Sequence, residues 1–221
     1  MLALRYWKNM FNFDLFWAAF AVLFVIIDPP GCAPIFATLT QGTSKRHQRI
    51  MAFKSVAVAA GILFVFAFFG EQIFHALGID FNALRIAGGI MLFIIALQMV
   101  FEQRTEHRET RAEEALEAIE DPEDISVFPM GIPMIAGPGT IASLLLLMSD
   151  ANSPMDVASI MAALVAVLLI TLFSFLIAGF LMKLMGKTFT NVLTRVLGFL
   201  LAALAAQFII DGVKGALSSL L

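Results

Sequence analysis

The sequence predicts an all-α membrane protein with six transmembrane helices, arranged as two inverted three-helix repeats, and three observations support this. The 221 residues are 60% hydrophobic and 14% charged, whereas soluble globular domains are about 45–50% apolar and about 25% charged. Six stretches are long and apolar enough to cross a bilayer, which requires about 20 residues. Two of these stretches are interrupted by similar proline–glycine sequences that lie about half the chain apart.

The six predicted spans cover about residues 14–40, 56–76, 84–101, 128–149, 157–182 and 193–213. Lysine and arginine set the orientation of such spans, because cytoplasmic loops carry an excess of positive charge. Ten of the 14 lysine and arginine residues follow the first, third or fifth span. This distribution places those three connections in the cytoplasm and both termini on the outer side of the membrane.

Residues 1–101 and 128–221 form the two predicted three-helix repeats, and residues 102–127 form an acidic cytoplasmic linker. The linker contains ten acidic residues and three arginines between Glu102 and Asp124, so we expect it to be solvated. Because each repeat has an odd number of spans, the second repeat enters the membrane from the opposite side. Two such repeats are related by an axis in the membrane plane.

A weak internal similarity supports the duplication. The step from Gly89 to Gln98 in the third span equals the step from Gly198 to Gln207 in the sixth. Glycine and glutamine are also common where membrane helices pack. Gln98 and Gln207 are therefore candidates either for lining a substrate path or for hydrogen bonding between helices.

Two arginines, Arg85 and Arg195, stand at the starts of the third and sixth spans, on opposite sides of the predicted bilayer. They could gate the two mouths of a path or attract an anionic substrate. The alternative is that each side chain extends along the apolar surface to reach the interface, as long basic side chains do.

The first span is interrupted at Asp28-Pro29-Pro30-Gly31. Proline lacks an N–H group and suits the first turn of a helix, so Asp28 is placed to cap a new half-helix. An Asp at the centre of a membrane helix costs about 2.5–3.5 kcal/mol on insertion scales. Asp28 therefore either caps the half-helix alone or also serves a substrate or a proton.

The second interruption reads Gly137-Pro138-Gly139-Thr140, in the fourth span. Backbone groups freed within a bilayer must be satisfied by protein or by a water-filled cavity. Two half-helix N-termini near the midplane would offer N–H donors and partial positive charge to a carboxylate. Asp28 and unwound carbonyl groups would suit an ammonium group or a coupling ion, either a proton or sodium. A small zwitterion such as an amino acid satisfies both requirements.

Both interruptions resemble the signatures of the MarC/SnatA family of bacterial and archaeal inner-membrane proteins. The run Asp28-Pro29-Pro30-Gly31-Cys32-Ala33-Pro34-Ile35-Phe36 is similar to the family's D-P-x-G-x-x-P-x-F signature. Residues 132–141 resemble its second motif, with Met134 where the family usually has leucine. Residues 85–89 and 207–212 are similar to its third and sixth helices, and the resemblance covers about residues 14–217.

The resemblance implies six spans in the bacterial inner membrane, and for some members transport of small neutral amino acids such as glycine and alanine. It places the broken-helix motifs at residues 28–34 and 137–140. The predicted substrate-binding residues are Asp28, Pro29, Gly31, Pro34, Gly137, Pro138, Gly139 and Thr140. The predicted gating or path-lining residues are Arg85, Gln98, Arg195 and Gln207.

We therefore expect a secondary transporter of small neutral amino acids, which could act as an exporter. The alternative is a passive channel or facilitator, whose flux would not saturate. An intramembrane enzyme is disfavoured because the sequence lacks H-E-x-x-H and G-x-S-x-G motifs. No cofactor, metal or nucleic acid is expected, the lipid bilayer is the expected surroundings, and oligomerisation is left open.

Overall fold

The computed structural model describes residues 11–104, 107–108, 110 and 124–218, with the backbone alone for residues 183–191. The described helices are α1 (Phe13–Ile27), α2 (Pro29–Leu39), α3 (Lys45–Ala76), α4 (Phe81–Val100), α5 (Pro138–Ser149), α6 (Pro154–Leu176) and α7 (Ala178–Ser218). A further segment, Ser126–Ile135, precedes α5. The fold of the described residues is all-helical, as the sequence predicts.

Five helical stretches are long and apolar enough to cross a membrane in the part of the chain that the structure describes. A sixth is obtained when Ser126–Ile135 and α5, which are bent by 53° relative to each other, are taken as one span. The six stretches coincide in position with the six predicted spans. The predicted connection between the fifth and sixth spans, about residues 183–192, is instead part of a helix. Helix α6 ends at Leu176, and the 41-residue α7 begins at Ala178.

The sequence analysis places the interruption of the fourth span at Gly137–Thr140, but the preceding segment Ser126–Ile135 is not a regular helix either. Phe128 and Ile132 have extended backbone angles, with φ/ψ of −134°/128° and −129°/128°. Each of them precedes a proline, and the ring of Pro129 or Pro133 disfavours the helical conformation of the residue before it. The prolines thus make this segment irregular well before the break at Gly137.

The interrupted first span lies at the centre of the molecule. Helices α1 and α2 both pack against α6, and α2 also packs against α7. Leu23, Ile26 and Ile35 are almost completely buried, and the Phe36 ring stacks on the Phe175 ring at a centroid distance of 4.6 Å. The break in the first span is therefore enclosed by protein, whereas the start of α1 is exposed at Phe13 and Trp17.

Helices α4 and α7 make the most extensive helix pair, and their contacts depend on glycine. A Cβ atom placed on Gly89 would lie 2.9 Å from the carbonyl oxygen of Ala205 and 3.1 Å from the backbone nitrogen of Ile209. A Cβ atom placed on Gly198 would lie 3.1 Å from both the carbonyl oxygen of Ala96 and the nitrogen of Val100. The two backbones thus touch at two places, which is the close approach that small residues allow in membranes.

Candidate functional site

The first interruption is made by Asp28. Its backbone has φ 56° and ψ 64°, a left-handed conformation in which the chain leaves α1 and starts α2 one residue later. The Asp28 carboxylate accepts a hydrogen bond from the Gly31 N–H at 3.1 Å, so it caps α2 as expected. Pro29 occupies the first helical position, where its missing N–H leaves no gap in the hydrogen bonding.

Gly31 is required by this cap. A Cβ atom at Gly31 would lie 2.7 Å from Cγ and 3.0 Å from Oδ1 of Asp28, closer than a side chain can approach. The Asp28 side chain is 2% exposed, so the displaced carboxylate could not simply move into water. The aspartate and the glycine therefore act as one unit.

The prolines of the first interruption also deprive carbonyl groups of α1 of their helical partners. In a continuous helix the Ile26 carbonyl would accept from the N–H of residue 30, but Pro30 has none. In the structure, the Arg104 guanidinium donates to the Ile26 carbonyl oxygen. The Ile27 carbonyl accepts from the Cys32 thiol, with 3.2 Å between sulfur and oxygen. The Ile26 and Ile27 carbonyls are thus satisfied by side chains of the protein, as a break within a membrane requires.

The second interruption differs in how its half-helix is capped. Gly137 is the N-cap residue of α5 and Pro138 occupies its first turn, but no side chain caps this helix within the described part of the chain. The Thr140 hydroxyl donates to the Ile135 carbonyl at 2.9 Å, which satisfies a group on the preceding segment instead. Gly139 approaches Ile95 of α4, since a Cβ atom at Gly139 would lie 2.5 Å from Ile95 Cδ1.

A cavity of about 110 Å³ lies at the N-terminus of α5. Its lining combines the second interruption, parts of α1 and α4, and the start of the linker: Ile26, Ile95, Gln98, Arg104, His107, Arg108, Pro129, Pro133, Met134, Gly137, Pro138, Gly139 and Thr140. A water molecule requires about 10–15 Å³ by the same measure, so this cavity is several times larger than one water. The uncapped helix end and two arginines give it positive character.

The linker arginines, Arg104 and Arg108, belong to this candidate site and were missed by sequence reasoning. The expectation of a solvated linker is wrong for Arg104, which is 7% exposed. Burial, together with the neighbouring charge of Arg108, lowers the pKa of Arg104 to about 9. Arg104 is therefore still charged at neutral pH. The available signal was the unpaired carbonyl that two adjacent prolines must create, although the sequence does not say which donor would reach it.

Arg108 connects the cavity to the first interruption. Its Nη1 atom lies 3.6 Å from Asp28 Oδ2 and donates to the Cys32 sulfur at 3.3 Å. Asp28 itself does not line the cavity, and neither do Pro29, Gly31 or Pro34. The predicted residues of the second interruption and Gln98 do line it. The two predicted clusters are thus joined through a residue of the linker.

The other predicted path residues lie away from this cavity. Arg85 forms an ion pair with Asp150, and Arg195 forms one with Glu102 at 2.6 Å. The Gln207 amide donates to the carboxylate of Asp211 at 2.9 Å. A gating role for the two arginines stays a prediction. Gln207 is held by Asp211 of the same helix and does not line the cavity.

Comparison with known proteins identifies relatives along nearly the whole chain. Residues 13–217 match the MarC family of integral membrane proteins. The chain is 37% identical over 206 residues to a UPF0056 membrane protein of Methanocaldococcus jannaschii, covering 93% of this chain and 99% of that protein. It is 37% identical over 206 residues to YvbG of Bacillus subtilis (93% and 96% covered), and 31% identical over 217 residues to YhcE of Escherichia coli (97% and 99% covered). No solved structure matches the chain.

Proposed function

Since this chain belongs to the MarC family of integral membrane proteins, we propose that it is a secondary transporter of small neutral amino acids. The substrate occupies the cavity between the two interrupted helices. The single observation that carries the proposal is this cavity, which joins an uncapped helix N-terminus to two arginines beside a buried aspartate.

The carboxylate of the substrate binds at the start of α5. The N–H groups of Gly139 and Thr140 lie in the first turn of that helix, where backbone donors have no helical partner. Anions are favoured at this position by the N–H groups and the helix dipole together. The guanidinium group of Arg108 lines the same cavity and adds a planar donor that suits a carboxylate.

Asp28 provides the negative charge for the other end of the zwitterion or for a coupling ion. In the described conformation Arg108 lies beside this carboxylate. When the substrate carboxylate replaces Asp28 as the partner of Arg108, the Asp28 carboxylate becomes free to bind an ammonium group, a proton or sodium. This exchange links substrate binding to a change in the charge at the first interruption.

The size of the cavity agrees with a small substrate. A volume of about 110 Å³ accommodates the few non-hydrogen atoms of glycine or alanine. Ile26, Ile95 and Met134 form an apolar part of the wall, which suits the methyl group of alanine.

Inverted repeats provide the basis for alternating access, and the glycine contacts of α4 and α7 support this arrangement. Gly89 contacts Ala205 and Ile209, while Gly198 contacts Ala96 and Val100. Adding 109 to the α4 residue numbers 89, 96 and 100 gives the α7 residue numbers 198, 205 and 209, so each contact has its equivalent in the other repeat. Such reciprocal contacts are those of two antiparallel helices related by a two-fold axis. The same offset relates the helix N-caps Asp28 and Gly137.

This proposal places the chain in the bacterial inner membrane with both termini outside, following the distribution of positive charge. The connection that carries Arg104 and Arg108 is then cytoplasmic. Arg108 and Arg104 contact Asp28 and the Ile26 carbonyl at the first interruption, and in this proposal they close the site from the cytoplasmic side.

Reconstitution in proteoliposomes tests the function directly. We expect saturable uptake of labelled alanine or glycine, and faster exchange when unlabelled substrate is present on the opposite side. Asp28→Asn and Arg108→Gln should abolish transport, whereas the control Lys214→Gln, an exposed residue of α7 far from the cavity, should not. Dissipating a proton or sodium gradient identifies the coupling ion.

Two results would contradict the proposal in different ways. A complete lack of amino acid flux in well-folded protein would overturn the substrate assignment. Flux that rises linearly with concentration and shows no exchange would instead establish the passive facilitator.

A further inference from the structure

A second cavity, separate from the candidate substrate site, lies where α3 begins and α6 ends. This basic groove has a volume of about 520 Å³ and is lined on one side by Lys45, Gln48 and Arg49 and on the other by the turn from α6 into α7. None of these residues takes part in the proposed transport site. We propose that the basic groove binds the headgroup of an anionic phospholipid from the cytoplasmic leaflet.

The polar side of the groove carries two positive charges on one face of a helix. Lys45 and Arg49 are four residues apart in α3, so their side chains are neighbours. Neither forms an ion pair with another residue in the part of the chain that is described. Gln48 between them donates to the Thr40 carbonyl at 3.1 Å, which fixes the start of α3 relative to the end of α2.

The opposite side of the groove is apolar. Phe175 is buried beneath it and stacks on Phe36, which gives the groove a rigid floor. Leu176 and Phe180 lie at its edge and are largely exposed. A site with two cations on one side and apolar side chains on the other matches an amphiphile rather than a free inorganic anion.

An apolar stripe continues from the groove along α6. Val165, Leu169, Phe173 and Leu176 are all exposed, and their spacing of three or four residues places them on one face of the helix. An acyl chain can follow this stripe while its phosphate remains at the groove. The stripe therefore provides the second half of a lipid site, directly below the positively charged half.

The charge distribution of the chain puts the groove on the side where anionic lipids act. Lys45 and Arg49 belong to the connection after the first span, which is predicted to be cytoplasmic. Basic pockets between helices on that side of a membrane attract anionic headgroups, and each nearby cation adds to the attraction. Zwitterionic phosphatidylcholine lacks the net charge that would complement the groove.

The test uses the purified full-length protein in detergent micelles to which phosphatidylglycerol is added. We expect its unfolding temperature to rise with increasing phosphatidylglycerol, because a ligand of the folded state stabilises it. An equal amount of phosphatidylcholine should have no such effect. Replacing both cations, in Lys45→Gln/Arg49→Gln, should weaken the apparent affinity on the order of thirtyfold, and Arg49→Gln alone about fivefold.

Arg46→Gln is the matched control, because Arg46 lies on the same turn of α3 but does not line the groove. It should retain the wild-type response. The proposal is overturned if phosphatidylcholine stabilises equally, or if Arg49→Gln responds as Arg46→Gln does. It is also overturned if inorganic phosphate alone reproduces the full shift, since the site would then bind phosphate without a lipid.

Discussion

Asp28 has three partners at the first interruption, and their combination explains why this residue can be buried. Its carboxylate caps α2 through Gly31, its backbone carbonyl accepts from the Cys32 N–H at 3.0 Å, and Arg108 provides a nearby positive charge. An unpaired charge at such a position would be expensive. The cap and the ion pair make the same side chain both a structural element and a candidate for binding.

Replacing Gly31 with alanine tests the structural role separately from the charge. The new Cβ atom would collide with the Asp28 carboxyl carbon, 2.7 Å away, and displace the cap. Loss of an aspartate cap costs about 0.5–2 kcal/mol, so we expect a lower unfolding temperature and reduced alanine transport. The change is measured by thermal unfolding in detergent and by uptake in proteoliposomes.

Gly61→Ala is the control for this substitution. Gly61 also lies within a helix, and a Cβ atom placed there would contact nothing within 4 Å. Alanine should leave stability unchanged or raise it by up to about 1 kcal/mol, because glycine is the poorer helix former. Similar unfolding temperatures for Gly31→Ala and wild type would show that the cap is not needed.

Asp124, at the end of the linker, makes a pH-dependent contribution to the free energy of unfolding. Hydrogen bonds from Ser126 and from Lys54, whose Nζ lies 3.0 Å from Asp124 Oδ2, lower the pKa of Asp124 from 3.8 to about 2. A carboxyl group with a depressed pKa in the folded state contributes stability that is present above its unfolded pKa. We therefore expect this contribution to be lost as the pH falls from about 4 to about 2.

Comparison with Asp124→Asn isolates this effect. Because the Asp124 side chain is 38% exposed, solvent screening keeps the contribution small. The two proteins should differ modestly in unfolding temperature at about pH 6 and converge near pH 2. Lys54→Gln should reduce the difference between them at the higher pH. A constant difference across this range would exclude titration of Asp124 as its source.

At the scale of elements, apolar length and proline–glycine content predicted where the helices lie and where they are interrupted. They did not predict the irregular segment before α5, although Pro129 and Pro133 were visible in the sequence. Hydropathy averages over a window and does not register the restriction that each proline imposes on Phe128 or Ile132.

The candidate site was predictable only in part, for a different reason. Local sequence identifies an end of a helix and its missing hydrogen bonds, but the partner that satisfies them can come from anywhere in the chain. Arg104 lies 78 residues from Ile26, in a segment whose composition indicates solvent exposure. The positions of the glycines and prolines were therefore predictable, whereas the two arginines that connect them were not.

The contact between α4 and α7 makes a prediction about equivalent positions. Gly89 and Gly198 each face the backbone of the other helix, so alanine at either position forces the helices apart. Such overpacking costs about 1–3 kcal/mol. If the two positions are related by the repeat, Gly89→Ala and Gly198→Ala should destabilise by similar amounts, measured by thermal unfolding against Gly61→Ala.

The double variant Gly89→Ala/Gly198→Ala provides a second test of the symmetric interface. The two glycines lie on the same helix interface, so their effects should not be independent. Once one substitution has separated the helices, the second should cost less than it does alone. Two unequal single effects that add without coupling would argue against a symmetric interface.

For the whole molecule, the two interruptions, the cavity and the linker arginines form one connected unit within a helical bundle. In the proposed transport cycle the substrate reaches the cavity from either side, and the linker arginines, on the connection predicted to be cytoplasmic, cover the first interruption. Opening to the cytoplasm therefore requires Arg108 to leave Asp28 and Arg104 to leave the Ile26 carbonyl. These movements would expose the first interruption to the cytoplasm.

Cys32 reports on this opening because it is the only cysteine in the chain. Its thiol is completely buried and is in contact with Arg108. A small charged thiol reagent should therefore label wild-type protein slowly. Removing the covering side chain in Arg108→Ala should accelerate labelling about tenfold or more, and only in vesicles that expose the cytoplasmic face to the reagent.

The controls for this measurement separate opening from unfolding. Cys32→Ser should remove all labelling, and Lys214→Gln should label at the wild-type rate. Saturating alanine should change the labelling rate of wild-type protein, because a substrate that displaces Arg108 from Asp28 also uncovers Cys32, while Arg108→Ala should no longer respond. Equal labelling of wild type and Arg108→Ala would show that the linker arginine does not close the site, and labelling from the outer face alone would reverse the orientation assigned to the chain.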